Sequence, residues 1–186
     1  MNLLLRIFFV RIAALFRKHL KLSDSSVLTL WVFPNDLDIY FHMNNGRYLT
    51  VMDLGRFDLI LRSGLGEICE KNHLAPLVAS ATVRYKRSLK LFQRYQLVSR
   101  IVCWDDKWVF IKQSFIQDGK CAAVGYVKGL FRSPKGNVPT AQVLALLGAW
   151  HPSPPMPDTI KHWIQSEEPG RIFHKTDETL FPERSK

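Results

Sequence analysis

The chain has too few cysteines, too far apart, for a disulfide framework or a thiolate metal site. Cys69, Cys103 and Cys121 are odd in number, with no C-x-x-C pair and no histidine at metal-ligand spacing beside them. Free thiols in a reducing compartment are expected, and neither a metal nor a cofactor is. Acids are also scarce: 16 Asp+Glu stand against 26 Lys+Arg, a formal net charge of +10. That excess implies anionic neighbours such as phosphates, nucleic acid or lipid headgroups, and says nothing of fold. Nucleic acid is set aside because no zinc, helix-turn-helix or RNP pattern accompanies the charge. Internal repeats are missing, as is any apolar run of the about 18 residues that a spanning helix needs. Met1 to Lys21 comes nearest, but Arg6 and Arg11 interrupt it, and no small-residue cleavage site follows to suggest a removed signal peptide.

What this first stretch does have is a pattern. On a helix at about 100° per residue, Arg6, Arg11, Arg17, Lys18 and Lys21 fall within an arc of roughly 140°, opposite Leu4, Leu5, Phe8, Phe9 and their neighbours. Two readings stay open: a basic amphipathic helix lying in the headgroup plane of an anionic membrane, or a terminal helix packed on its own domain or on a partner. The rest of the 186 residues suits one domain with a real core. The expected organisation is residues 1–22 as the amphipathic helix, 23–148 as the domain, and 149–186 as a Pro-rich connector and peripheral arm.

The most informative stretch runs from Asp36 to Tyr48: two acids, a histidine and two asparagines ahead of a greasy helix. Asn44 is a good N-cap and Ser63-Gly64 a good stop, which predicts a helix from Asn45 to about Arg62. Its apolar residues lie almost all round it, as in a helix surrounded by protein. Strand-like runs follow the β-branched and aromatic content: Val27 to Phe33, Leu77 to Tyr85, Tyr95 to Cys103, Trp108 to Ile116 and Cys121 to Phe131, with short helices at Leu65 to His73 and Thr140 to Leu147. Short breakers between the last four strands predict an antiparallel meander wrapped over the long helix, an α+β architecture.

Asp38-Ile39-Tyr40-Phe41-His42-Met43-Asn44-Asn45, followed by Arg47-Tyr48-Leu49 and Asp53-Leu54-Gly55-Arg56, resembles the acid-x-x-Gly-His-Val-Asn-Asn-x-x-Tyr signature of hotdog-fold acyl-CoA thioesterases of the 4-hydroxybenzoyl-CoA thioesterase type. The longer run from Phe33 to Arg56, with Arg87-Ser88-Leu89 and Gly129-Leu130, most resembles the thioesterase-superfamily member six branch and its bacterial relatives. The resemblance implies a hotdog fold, five or six antiparallel strands around one long helix. It implies a homodimer or tetramer, and an acyl-CoA or acyl-carrier thioester as substrate. It also implies roles: Asp38 as base or nucleophile, and the Asn45 amide as the group that polarises the thioester carbonyl.

The residues themselves support this chemistry and leave alternatives. Thioester hydrolysis needs a carboxylate near the scissile carbonyl and donors aimed at the developing oxyanion. Asp38 at the entry to a helix N-terminus meets both needs, though an acid in an Asp-rich loop is equally a turn or capping residue. His42 orients Asp38 or contacts substrate, or is a satisfied structural group. Asp53 matches a helix position where relatives carry an acid, yet Arg56 at i+3 makes an ion pair the stronger reading. Asp36, off the motif position, is read as a bystander suited to a control substitution. Arg84, Lys86 and Arg87 open a basic run without any acid as far as Arg100, fit for the phosphates of coenzyme A or for a solvated sheet face. Phe41 stands where the family has glycine, so a ring enters where backbone or ligand would approach; it is counted with the substrate-binding residues. The expectation is a cytoplasmic acyl thioester hydrolase, peripheral on the inner membrane surface through residues 1–21. The rival is a non-catalytic acyl-CoA or lipid-binding hotdog protein, and a hydratase of the same fold comes third.

Overall fold

The computed structural model describes residues 3–148 and 152–177, so residues 1–2, 149–151 and 178–186 of the expected helix, connector and arm lie outside the described residues. In chain order its elements are α1 (Leu3–Phe16), β1 (Ser26–Trp31), α2 (Asn45–Arg62), α3 (Leu65–Lys71), β2 (Ala75–Tyr85), β3 (Arg94–Trp104), β4 (Val109–Gln117), β5 (Lys120–Ser133), β6 (Gly136–Val138), α4 (Thr140–Leu146) and α5 (Asp158–Asp177). The strands form one antiparallel sheet ordered β1-β3-β4-β5-β2, with short β6 beside β5. The architecture is the expected α+β one, a six-stranded sheet curled about a long helix.

α2 has the bounds its end signals predict. Asn44 Oδ1 accepts from the Gly46 amide at 2.8 Å, and Gly64 takes a left-handed φ of 80° just past the helix. Val51, Met52 and Leu54 are fully buried, as expected for a helix apolar on most sides. The helix comes so close to the sheet at Gly55 that a Cβ there would lie 2.3 Å from Ser99 Oγ. Beside this contact the buried Gln113 of β4 donates from Nε2 to the Met52 carbonyl and to Ser99 Oγ, both at 2.8 Å, while its Oε1 accepts from Arg56. A polar side chain in the core is tolerated because each of its groups has a partner.

The expected meander holds for β3, β4 and β5 only. β2 does not return beside β3: it pairs with β5 at the far edge, from Ala75 opposite Arg132 to Tyr85 opposite Ala123, because β1 occupies the free edge of β3. The segment from Lys86 to Gln93 therefore crosses the open end of the curled sheet. It can reach about 27 Å, against roughly 14 Å for the three strand steps to be crossed. The Lys86 and Arg87 amides both donate to the Ala122 carbonyl, at 2.8 and 3.0 Å, and the Met43 amide donates to the carbonyl of fully buried Leu89 at 2.8 Å. The crossing segment is thus fastened over the N-terminal end of α2.

α1 runs alongside α2 in the same direction. Arg6 meets Asp36 at 2.5 Å, Arg17 meets Asp58 at 3.1 Å, and the Leu20 amide donates to the Arg62 carbonyl. The basic arc is therefore not all turned outward as the sequence pattern suggests: Arg6 is buried, Arg17 is half-buried, and Arg11, Lys18 and Lys21 are exposed. Asp36 and Asp58 are fully buried, and a buried carboxylate without a cation is costly, so the arginines face the acids. The large apolar residues face out instead, with Leu4 at 71%, Phe9 at 58% and Phe16 at 85% exposure. No helix among the described residues is long and apolar enough to cross a membrane.

At the other end of the chain, where a peripheral arm is expected, Ile160 of α5 is buried against Cys103 and Phe110, with Trp163 beside them. Burial, with the charge of Asp105 nearby, pushes the Cys103 thiol up to about 11.

Candidate active site

The loop between β1 and α2 is built around Asp36. Its Oδ2 accepts from Arg6 and from the Phe33 amide, its Oδ1 accepts from Arg47 Nε and Nη2 at 3.1 and 2.9 Å, and its carbonyl accepts from the Asn44 amide. Burial alone would push this carboxyl up; the hydrogen bonds from Arg6, the Phe33 amide and Arg47 overcome it and hold it below the ordinary carboxylate value. Asp36 is thus the anchor of the loop, not the bystander its off-motif position suggests.

From that anchor the chain makes a tight turn from Asp38 to Phe41. Asp38 Oδ1 accepts from the Tyr40 amide at 2.9 Å and the His42 amide at 3.2 Å, the Phe41 amide donates to the Asp38 carbonyl, and the Asp38 amide donates to the His42 carbonyl. The carboxylate is consequently held in one orientation by its own loop, as a turn acid would be. Two residues after His42, Asn44 caps α2, so the first amides of the helix open beside the turn, where a developing negative charge is favoured.

These groups share a cavity of about 300 Å³ lined by Asp38, His42, Asn45, Tyr85, Lys86, Arg87 and Ser88, with Met43 and Tyr48 beneath. Of the residues singled out in the sequence, Asp38, His42, Asn45, Lys86 and Arg87 come together here. Three do not. Arg84 is on β2 one residue before Tyr85, and alternate residues of a strand point to opposite faces, so it stands away from the helix. Asp53 is paired with Arg56 farther along α2 and half-exposed, which is the ion pair that the spacing favours. Phe41 lies outside the cavity and is 74% exposed, so it does not fill an acyl pocket there; its backbone keeps the left-handed φ, 59°, that a glycine would adopt readily.

Tyr85 is the site residue that sequence reasoning misses. Its hydroxyl donates to the Asn45 carbonyl at 3.0 Å, and its ring meets buried Tyr48 edge-on at 5.0 Å. Burial pushes both phenols up, so both remain donors at neutral pH. The only sequence signal was its position immediately before Lys86-Arg87 at a strand end. A larger cavity, about 770 Å³, lies near Ser63 and Gly64 at the opposite end of α2 and is lined by none of the candidate catalytic or substrate-binding residues.

Comparison with known proteins agrees with this fold. The thioesterase-like superfamily matches residues 32–164. Protein THEM6 of Xenopus laevis is 35% identical over 137 residues, 72% of this chain and 64% of that protein, so the chain spans less than two thirds of that relative's length. Protein THEM6 of Drosophila melanogaster is 29% identical over 166 residues, 87% of this chain and 83% of that protein. Among solved structures, the YbaW probable thioesterase from Escherichia coli has a TM-score of 0.62 at 20% identity, covering 65% of this chain and 94% of its own. BH1999 gentisyl-coenzyme A thioesterase has a TM-score of 0.58 at 20% identity, covering 64% and 99%. At such identities the structural likeness shows the hotdog fold.

Proposed function

Starting from a chain that belongs to the thioesterase-like superfamily, we propose that it hydrolyses acyl thioesters of coenzyme A or of an acyl carrier, with Asp38 as the acting carboxylate. The observation that carries this reading is the single cavity shared by Asp38, the first residue of α2, and the cations Lys86 and Arg87. A thioester carbonyl directed at the first amides of α2, Asn45 included, has its oxygen where negative charge is stabilised. Asp38 then takes a proton from an attacking water, or attacks the carbonyl itself to form an anhydride that a water afterwards hydrolyses, restoring Asp38. The C–S bond breaks, the thiol leaves with a proton, and the acyl group leaves as a carboxylic acid. Lys86 and Arg87 meet the phosphates of the carrier.

A homodimer is part of this proposal. β2 is exposed along most of its length, and its outer edge has no strand partner among the described residues. Pairing of two such edges would cover that main chain. So is a peripheral place on the cytoplasmic membrane surface, for which the outward apolar face of α1 is the support.

The rival, a non-catalytic acyl thioester binder, has one specific observation behind it: Asp38 Oδ1 already serves two amides of its own loop. A thiol-release assay across acyl-CoA chain lengths separates the two. Turnover by the parent that is lost in Asp38→Asn supports the hydrolase; binding of acyl-CoA with no thiol release at any chain length supports the binder.

A further inference from the structure

Two tight turns flank the cavity, and both have corners of the wrong chemistry for a surface turn. In the first, Asp38 to Phe41, the corner residues are Ile39 at 84% exposure and Tyr40 at 73%, followed by Phe41 in the left-handed region. In the second, Lys90 to Gln93, the Gln93 amide donates to the Lys90 carbonyl, and the corners are Leu91 at 37% and Phe92 at 60%, Phe92 again left-handed with φ 57°. Exposed corners ordinarily carry Gly, Asn, Asp or Ser, and a left-handed residue is ordinarily Gly or Asn. Here the backbone is held in its less favourable region to present rings that are mostly exposed.

The turns are neighbours. His42 and Lys90 form a backbone bridge, and the Phe92 amide donates to the Val32 carbonyl, next to half-exposed Trp31. The first turn carries Asp38, and the second ends the crossing segment that carries Lys86 and Arg87, so the apolar corners lie next in the chain to both walls of the cavity, though they do not line it. Exposed Arg87, Lys90 and Arg94 stand among them, and no acid occurs from Arg84 to Arg100. Two copies of such a face would bring like charges together, whereas an anionic bilayer matches both the rings and the cations. The N-terminal half of α1, joined to this loop by Arg6 and Asp36, carries its exposed Leu4, Leu5, Phe8 and Phe9 to the same end of the molecule.

We propose that the Ile39–Phe41 and Leu91–Phe92 corners enter the interfacial layer of an anionic membrane and hold the mouth of the cavity against it. The substrate is then a long-chain acyl thioester whose acyl chain is dissolved in the bilayer and whose carrier head stays in water beside Lys86 and Arg87. This rests on the hydrolase reading for its substrate and on the turns for its lipid contact.

The test uses the full chain, vesicles of equimolar phosphatidylglycerol and phosphatidylcholine, and the double variant Ile39→Ser/Phe92→Ser. Vesicle affinity by sedimentation is expected to fall about tenfold or more. Hydrolysis of vesicle-borne palmitoyl-CoA should fall with it, while hydrolysis of butyryl-CoA in solution is unchanged. Phe92→Gly separates strain from contact: it removes the ring and relaxes the backbone, so it should weaken vesicle binding with no loss of thermal stability. Parental vesicle affinity in the double variant overturns the proposal. So does a fall from dimer to monomer mass with vesicle affinity unchanged, which would make the corners a contact between copies. If the parent cleaves no acyl thioester, the hydrolase reading and the substrate assignment fall together, and vesicle affinity still decides the lipid contact.

Discussion

Tyr85, the last residue of an edge strand, donates its hydroxyl to the carbonyl of Asn45, the first residue of the central helix, at 3.0 Å. The bond fixes the wall of the cavity that bears Lys86 and Arg87 relative to the wall that bears Asp38. Tyr85→Phe removes it while keeping the ring against Tyr48, and should cost about 1 kcal/mol in urea unfolding. Because Tyr85 positions groups and performs no proton transfer in this scheme, KM for acyl-CoA should rise more than kcat falls.

Asp38→Asn should lower kcat for thioester hydrolysis by about 100-fold or more at unchanged KM. An asparagine Oδ1 can still accept from the Tyr40 and His42 amides, so the turn survives while the charge is lost. Asp53→Asn is the competing test. Parental turnover in Asp38→Asn with a dead Asp53→Asn would move the chemistry to the helix.

Asp36→Asn is expected to unfold the protein more easily, by about 3–5 kcal/mol, because it leaves buried Arg6 without its carboxylate. Acid should act through the same group. Its folded-state value lies below the ordinary 3.8, so the unfolded chain is protonated first. The contribution is therefore complete above pH 3.8 and is lost as the pH falls through the lower folded value. Urea unfolding measured down this range should show a shallower decline in Asp36→Asn than in the parent.

Light scattering at micromolar concentration should give a dimer mass. Val78→Lys, at a half-exposed position on the unpaired edge strand, should shift the mass towards the monomer. A monomeric parent would count against the edge-to-edge homodimer.

Leu5→Ser/Phe9→Ser on α1 should weaken binding to anionic vesicles about tenfold, with an affinity in the parent that falls as salt rises. Deleting the helix is a poorer experiment, since it also strips Arg6 from Asp36 and Arg17 from Asp58. Unchanged sedimentation in the point variants would leave α1 as a packing element.

Local signals carried far in this chain. Asn44, Ser63 and Gly64 marked both ends of α2, β-branched and aromatic content with short breakers marked five strands, and the run around Asp38 singled out the acid that lines the cavity. What escaped depends on partners distant in sequence. The outward turn of α1 follows from two buried acids that only the folded chain sets opposite Arg6 and Arg17. The site of β2 follows from β1 taking the edge that a hairpin would have used. The part played by Tyr85 follows from that displacement, since in a simple meander it would not have reached Asn45.

The crossing segment also sets an order of events during synthesis. Asp38, His42 and Asn45 leave the ribosome early, but Lys86 and Arg87 are fastened to the Ala122 carbonyl, and β2 has nothing to pair with until β5 is made. A nascent chain stopped before β5 has the acid and the helix amides but lacks the cationic wall that faces them. The complete cavity is therefore a late property of this fold, acquired through a long-range strand pairing, and a chain caught short of that step exposes the apolar face of α2 instead.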